Sequence, residues 1–151
     1  MASVEKTVLI GHSAEKMYAL VDHCEDYPNF LPWCSRAEVL QRDAGKTAAT
    51  LHIDYHGVKS HFTTENSKTF PSQMLIRLLD GPFRKLEGAW HFRALNATAC
   101  KIEFVLHYEF SSKLLEKIIG PVFSRITNTF VDAFIKRADQ VYGVPNVWVT
   151  Q

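Results

Sequence analysis

Lys46-Thr-Ala-Ala-Thr-Leu-His-Ile-Asp-Tyr55, His56-Gly57, and Val58-Lys-Ser-His-Phe-Thr-Thr-Glu-Asn-Ser-Lys68 form the stretch on which the fold turns. Two alternating runs flank a two-residue turn signal, which predicts a hairpin with Tyr55 opposite Val58. That register pairs Leu51 with Phe62 on one face. On the other it pairs Thr50 with Thr63, His52 with His61 and Asp54 with Lys59. Apolar side chains meet apolar ones and acid meets base, so turn chemistry and cross-strand chemistry agree.

Working outward, period two continues from Ser35 to Phe110. Gln73 to Leu79 reads as a strand closed by Asp80-Gly-Pro-Phe83. Leu86 to Ala94 and Lys101 to Phe110 read as a second hairpin around Asn96-Ala-Thr98. Its inner face carries Leu86, Gly88, Trp90 and Phe92, then Ile102, Phe104, Leu106, Tyr108 and Phe110. Glu87, His91, Arg93, Lys101, Glu103, His107 and Glu109 point outward, the half-solvated pattern of an antiparallel sheet. Upstream lie a strand from Ser3 to Ile10 and a short helix from Ala14 to about Asp22, N-capped by Ser13. The Pro28–Trp33 segment has room for one tight turn between its prolines.

The cover for the sheet is a C-terminal helix, expected from Pro121 in its first turn to Gly143, with Leu114 to Ile119 a separate turn before it. Val122, Phe123, Ile126, Phe130, Ala133, Phe134, Ala138 and Val141 form its apolar stripe. Asp132 and Lys136 are spaced for an ion pair on the opposite side. The fold class is therefore α+β: a curved antiparallel sheet around one long helix, in the order β-α-α-β6-α.

The 151 residues suit one domain, here 1–143, with 144–151 a variable tail. Hydrophobic residues make up 46% and charged residues 22%, which excludes wholesale disorder. A formal charge of +1 argues against bulk electrostatic binding of DNA. Cys24, Cys34 and Cys100 form no metal-ligand or disulfide spacing and read as reduced thiols. No run approaches the length of a membrane span, and Met1 to Lys6 lacks a signal or presequence core, so a cytoplasmic bacterial protein is expected.

Aromatic content is 12%, more than a small core strictly needs. Phe30, Leu31 and Trp33 are expected to guard a cavity mouth and to touch ligand or membrane, so that truncating Trp33 would leave the melting temperature nearly unchanged. Leu51, Tyr55 and Phe62, then Trp90, Phe104 and Tyr108, then Phe123, Phe130 and Phe134 are expected to border the ligand; the competing reading is ordinary core. Tyr55, Tyr108 and Arg77 are the inward candidates for polar contacts, and Gly88 is expected to make room beside Trp90. A quinone ring requires about 300 Å³. His52 and His61, with His56 near, lie on a solvent face, so no metal site is expected. With the acids from Glu87 to Glu109 outward and no nucleophile elbow present, no catalytic residue is assigned. Arg84, Lys85, Arg93, Lys101, Lys136 and Arg137 could form a basic patch for RNA or a solvated charged face.

Three motifs carry a family resemblance: Tyr27-Pro-Asn-Phe-Leu-Pro-Trp-Cys34, Gly81-Pro-Phe-Arg-Lys-Leu-Glu-Gly-Ala-Trp-His-Phe92 and Ala133-Phe-Ile-Lys-Arg-Ala-Asp-Gln-Val-Tyr-Gly143. With the element order, they resemble the START-like, helix-grip (Bet v 1-like) polyketide cyclase and lipid-transport domains. Within these they are similar to the coenzyme Q-binding family and its bacterial RatA-type ribosome-association toxins. The resemblance implies a non-enzymatic protein with a deep apolar cavity and ubiquinone, or a similar isoprenoid lipid, as ligand in support of respiration, with transient contact at the inner-membrane surface. Its alternative implication is binding of the large ribosomal subunit, which blocks subunit association.

Overall fold

The computed structural model describes residues 1–145, so the part of the expected tail beyond Pro145 lies outside the described residues. The chain runs β1 (Ala2–Ile10), α1 (Ala14–Asp22), a 3-10 helix (Cys24–Asn29), β2 (Cys34–Arg42), β3 (Lys46–Tyr55), β4 (Val58–Thr69), β5 (Gln73–Asp80), β6 (Phe83–Asn96), β7 (Ala99–Phe110) and α2 (Lys113–Tyr142). The strands form one antiparallel sheet in the order β1-β7-β6-β5-β4-β3-β2. The second of the two expected short helices is thus a 3-10 segment, which Pro28 tolerates within a single tight turn.

The β3–β4 hairpin has the predicted register, Tyr55 opposite Val58 and Leu51 opposite Phe62. His56 and Gly57 both have positive φ, at 49° and 78°, the backbone a two-residue primed turn requires. Register shifts in three strand pairs, between Val39 and Gln41, Thr63 and Thr64, and Ala94 and Asn96 among others, bend the sheet into a half-barrel. Leu86, Trp90, Phe92, Ile102, Phe104, Leu106, Tyr108 and Phe110 are all buried on its concave face.

The helix departs from expectation at its start. Leu114 to Ile119 is not a separate turn: α2 is continuous over 30 residues, about 45 Å, with Pro121 inside it. Ser112 is the true N-cap, its hydroxyl accepting from the Leu115 N–H at 3.1 Å. Pro121 is tolerated on an exposed stretch, where the one backbone bond it forgoes is solvent-accessible. The stripe also shifts by a residue: Val131 is buried and Val141 exposed. Asp132 pairs with Lys6 of β1 at 3.7 Å rather than with Lys136, tying the helix to the sheet edge. Gly143 ends the helix with φ 88°, as expected of a glycine cap.

Gly88 does not open space for a ligand. A Cβ there would lie 2.2 Å from the Val105 carbonyl oxygen, so the glycine lets β6 and β7 approach closely. Enlarging it would separate two strands rather than fill a pocket.

Candidate functional site

An internal cavity lies between the concave sheet and α2. Leu51, Phe62, Trp90 and Phe104 supply wall from the sheet, and Phe123 and Phe130 close it from the helix. Trp90 is the hub, with ring centroids 4.6 Å from Phe104, 5.4 Å from Phe134 and 5.8 Å from Phe130. The space measures only about 70 Å³, room for roughly two water molecules. It is far below the volume expected for a quinone ring, so entry of one requires the aromatic walls to part.

One end of this cavity is polar. The inner face of β4 runs Phe62, Thr64, Asn66, Lys68, and the facing positions of β3 run Leu51, Ala49, Thr47. The Thr47 hydroxyl donates to Asp22 at 3.0 Å, and buried Lys68 sits 3.2 Å from the same carboxylate. The Asn66 Oδ1 atom is buried and has no hydrogen-bond partner among the described residues. An acceptor left unpaired there would cost about 1–3 kcal/mol, and water in the adjoining cavity can pair with it. The period that places Leu51 opposite Phe62 reaches Thr47 opposite Asn66 two pairs further along the same face.

Cys24 and Tyr27 complete that end. Burial pushes the Cys24 thiol up to about 11, leaving it protonated and a poor nucleophile. Burial, reinforced by Cys24, holds Tyr27 well above the ordinary phenol range, and its hydroxyl donates to the Val21 carbonyl oxygen. No carboxylate or histidine lines the cavity among the described residues.

A second, open space of about 540 Å³ lies outside, between the turn at Phe30–Trp33 and the solvent side of α2. Trp33 lines both spaces and is the partition between them. Its carbonyl accepts from the Asp54 N–H at 2.9 Å, fixing the turn to β3. On the other side Arg137 forms a forked contact with Asp26 at 3.0–3.2 Å and lies 5.4 Å over the Phe30 ring.

The structure therefore sorts the candidates. Trp33, Leu51, Phe62, Trp90, Phe104, Phe123 and Phe130 converge on the cavity. Phe30, Leu31 and Tyr55 line the outer groove instead. Tyr108 and Phe134 pack behind the wall, Tyr108 against Phe123 at 4.8 Å and Phe134 against Phe130 at 5.0 Å. Arg77 is excluded as an inward group: it is exposed and pairs with Glu65 at 2.8 Å. Leu31 and Trp33 are 1% and 4% exposed, so neither forms a membrane-touching tip, and Trp33 carries core stability. His52 faces His61 at 5.6 Å and bonds Glu38 at 2.7 Å. Of the basic residues, Arg84, Lys85, Arg93 and Arg137 each meet a carboxylate, which dilutes the patch.

A single antiparallel half-barrel gripping one long helix around a mostly apolar cavity defines a helix-grip, START-like protein. The chain belongs to the polyketide cyclase / dehydrase and lipid transport family, whose model matches residues 10–135. It is 41% identical over 142 residues to the ribosome association toxin RatA of Escherichia coli K12, covering 94% of this chain and 90% of that protein. It is 31% identical to the mitochondrial coenzyme Q-binding protein COQ10 homolog B of Xenopus laevis, covering 89% of this chain and 57% of that protein. Among solved structures, the Zhui aromatase/cyclase of Streptomyces sp. R1128 shares the fold with a TM-score of 0.78 and 17% identity, over 95% of this chain and 98% of that one. No described helix is long and apolar enough to cross a membrane.

Proposed function

We propose that the protein is a non-catalytic binder of a ring-bearing isoprenoid lipid of the ubiquinone class, which it takes up between the sheet and α2 to support respiration. The observation that carries this is the aromatic cavity with one polar end, separated by Trp33 from the outer groove. Aromatic walls suit a flat ring, and the groove suits a tail that leaves past Trp33. Non-catalysis rests on the lining: its thiol and phenol stay protonated, and it offers no acid–base group in the ordinary range. Organic extraction of purified protein followed by mass spectrometry tests the reading. About one polyprenyl quinone per chain is expected; an empty protein that also fails to bind added decylubiquinone contradicts it.

A second reading has its own support. The RatA toxin is the more similar relative and is spanned over 90% of its length, against 57% for the coenzyme Q-binding protein. On this reading the chain associates with the large ribosomal subunit from the cytoplasm and blocks subunit joining. Arg125, Lys136 and Arg137 along the outer groove are the surface it would use. Co-sedimentation with separated subunits at graded salt tests it, and binding to the large subunit alone is the expected result.

A further inference from the structure

We propose that the first two turns of α2 are the face by which the protein rests on an anionic phospholipid surface, while ligand passes between the bilayer and the outer groove. The proposal rests on the reading that the protein takes up an isoprenoid lipid, and deepens it. What carries it is the way the start of α2 divides its aliphatic side chains. Leu115 and Ile119 turn inward against the core, as an amphipathic helix requires. Leu114 and Ile118 also lie one turn apart, yet they are 66% and 53% exposed. A helix that only covers a sheet carries polar residues on such a stripe, and further along α2 does so. The same stripe continues through Pro121 to Arg125, Asp132 and Lys136. The exposed aliphatic pair is thus confined to one end of the helix.

The charge around this pair identifies its partner. Lys113 and Lys117 are exposed beside it, and neither joins an ion pair among the described residues, whereas Lys6, Lys46, Lys68 and Lys85 each do. Glu116, two residues from both Leu114 and Ile118, faces away from them. Aliphatic side chains that enter the acyl boundary, next to lysines that reach lipid phosphate, make up the composition of an interfacial helix. An RNA backbone would use the lysines and leave the aliphatic pair in water. A symmetric contact with a second copy of the chain would set lysine against lysine. Arg125, on the same stripe, lines the outer groove. A bilayer seated at Leu114 and Ile118 therefore meets the end of that groove, and an isoprenoid tail can slide from lipid to protein without crossing water.

The test floats the whole chain with quinone-free vesicles of phosphatidylcholine, with and without phosphatidylglycerol. Binding is expected on the vesicles that contain phosphatidylglycerol and should weaken as salt rises. Leu114→Ser combined with Ile118→Ser should reduce it by at least about tenfold. Lys113→Gln combined with Lys117→Gln should reduce it by about tenfold and flatten the salt dependence. Both pairs lie on the surface, so melting temperature and affinity for decylubiquinone in detergent should match wild type. Failure of the wild type to bind the anionic vesicles, or equal binding by both variants, overturns the inference and leaves the proposed function standing. A wild type that is dimeric by light scattering, binds no vesicles and becomes monomeric in the serine variant assigns the patch to a second copy instead. A chain that binds vesicles through this patch but takes up no decylubiquinone upholds the surface, and the ubiquinone reading falls.

Discussion

Trp33 stands between the inner cavity and the outer groove, and it is almost wholly buried in doing so. Trp33→Ala should therefore cost about 3–5 kcal/mol in urea denaturation, besides merging the two spaces. That reverses what the sequence suggests: Pro28 and Pro32 look like the supports of an exposed tip, whereas the Trp33 ring packs inward at 6.3 Å from Phe130 and its carbonyl accepts from the Asp54 N–H. A different residue reports on acid stability. Arg42 grips both carboxylate oxygens of Glu25, at 2.6 and 2.7 Å, and lowers its pKa from 4.5 to about 2. Because the folded value is the lower one, this stabilisation is present above about pH 4.5 and is lost as pH falls toward 2. Glu25→Gln should flatten that part of a plot of melting temperature against pH, and an unchanged slope would show that the pair contributes nothing.

At the scale of elements, the turn after the 3-10 helix is held onto α2 by Arg137. Its forked pairing with Asp26 and its position over Phe30 make it a clasp on the groove. Arg137→Ala should lower stability by about 1–2 kcal/mol, and a double-mutant cycle with Asp26→Asn should recover much of that as coupling. Stopped-flow measurement should also show faster ligand entry in that variant. The β3–β4 register was legible in the sequence because a primed turn and period-two alternation constrain the same pairs, and Tyr55 opposite Val58 satisfies both. The start of α2 was not, because Pro121 resembles a first-turn proline while the working cap, Ser112, lies nine residues earlier in the chain. Alternation also tells which face of β4 is inward but not how far that face stands from the helix. Phe62 and Asn66 share a face, and only packing shows that one meets Phe123 while the Oδ1 of the other has no hydrogen-bond partner among the described residues.

Across the whole molecule, the half-barrel and α2 share one continuous core, and the cavity is the part of it that packing leaves unfilled. Its walls come from elements far apart in sequence, so its membership was only partly legible: the aromatics announced themselves, whereas Ala49 and Thr64 carry no signal of their own. The interior suits a flat lipid ring, whereas the outer groove would take its tail and also carries Arg125, Lys136 and Arg137, so the two readings of function share the groove. If a ligand ring enters between sheet and helix, a variant that fills this space excludes it. Ala49 lines the cavity opposite Thr64, and a β-branched side chain suits its strand. Calorimetric titration of decylubiquinone into wild type and Ala49→Val, alongside their thermal melts, is the decisive comparison. An unchanged or raised melting temperature with at least about tenfold weaker binding is expected in the variant. Equal affinity in the two proteins would contradict it, since the ligand would then bind somewhere other than this cavity.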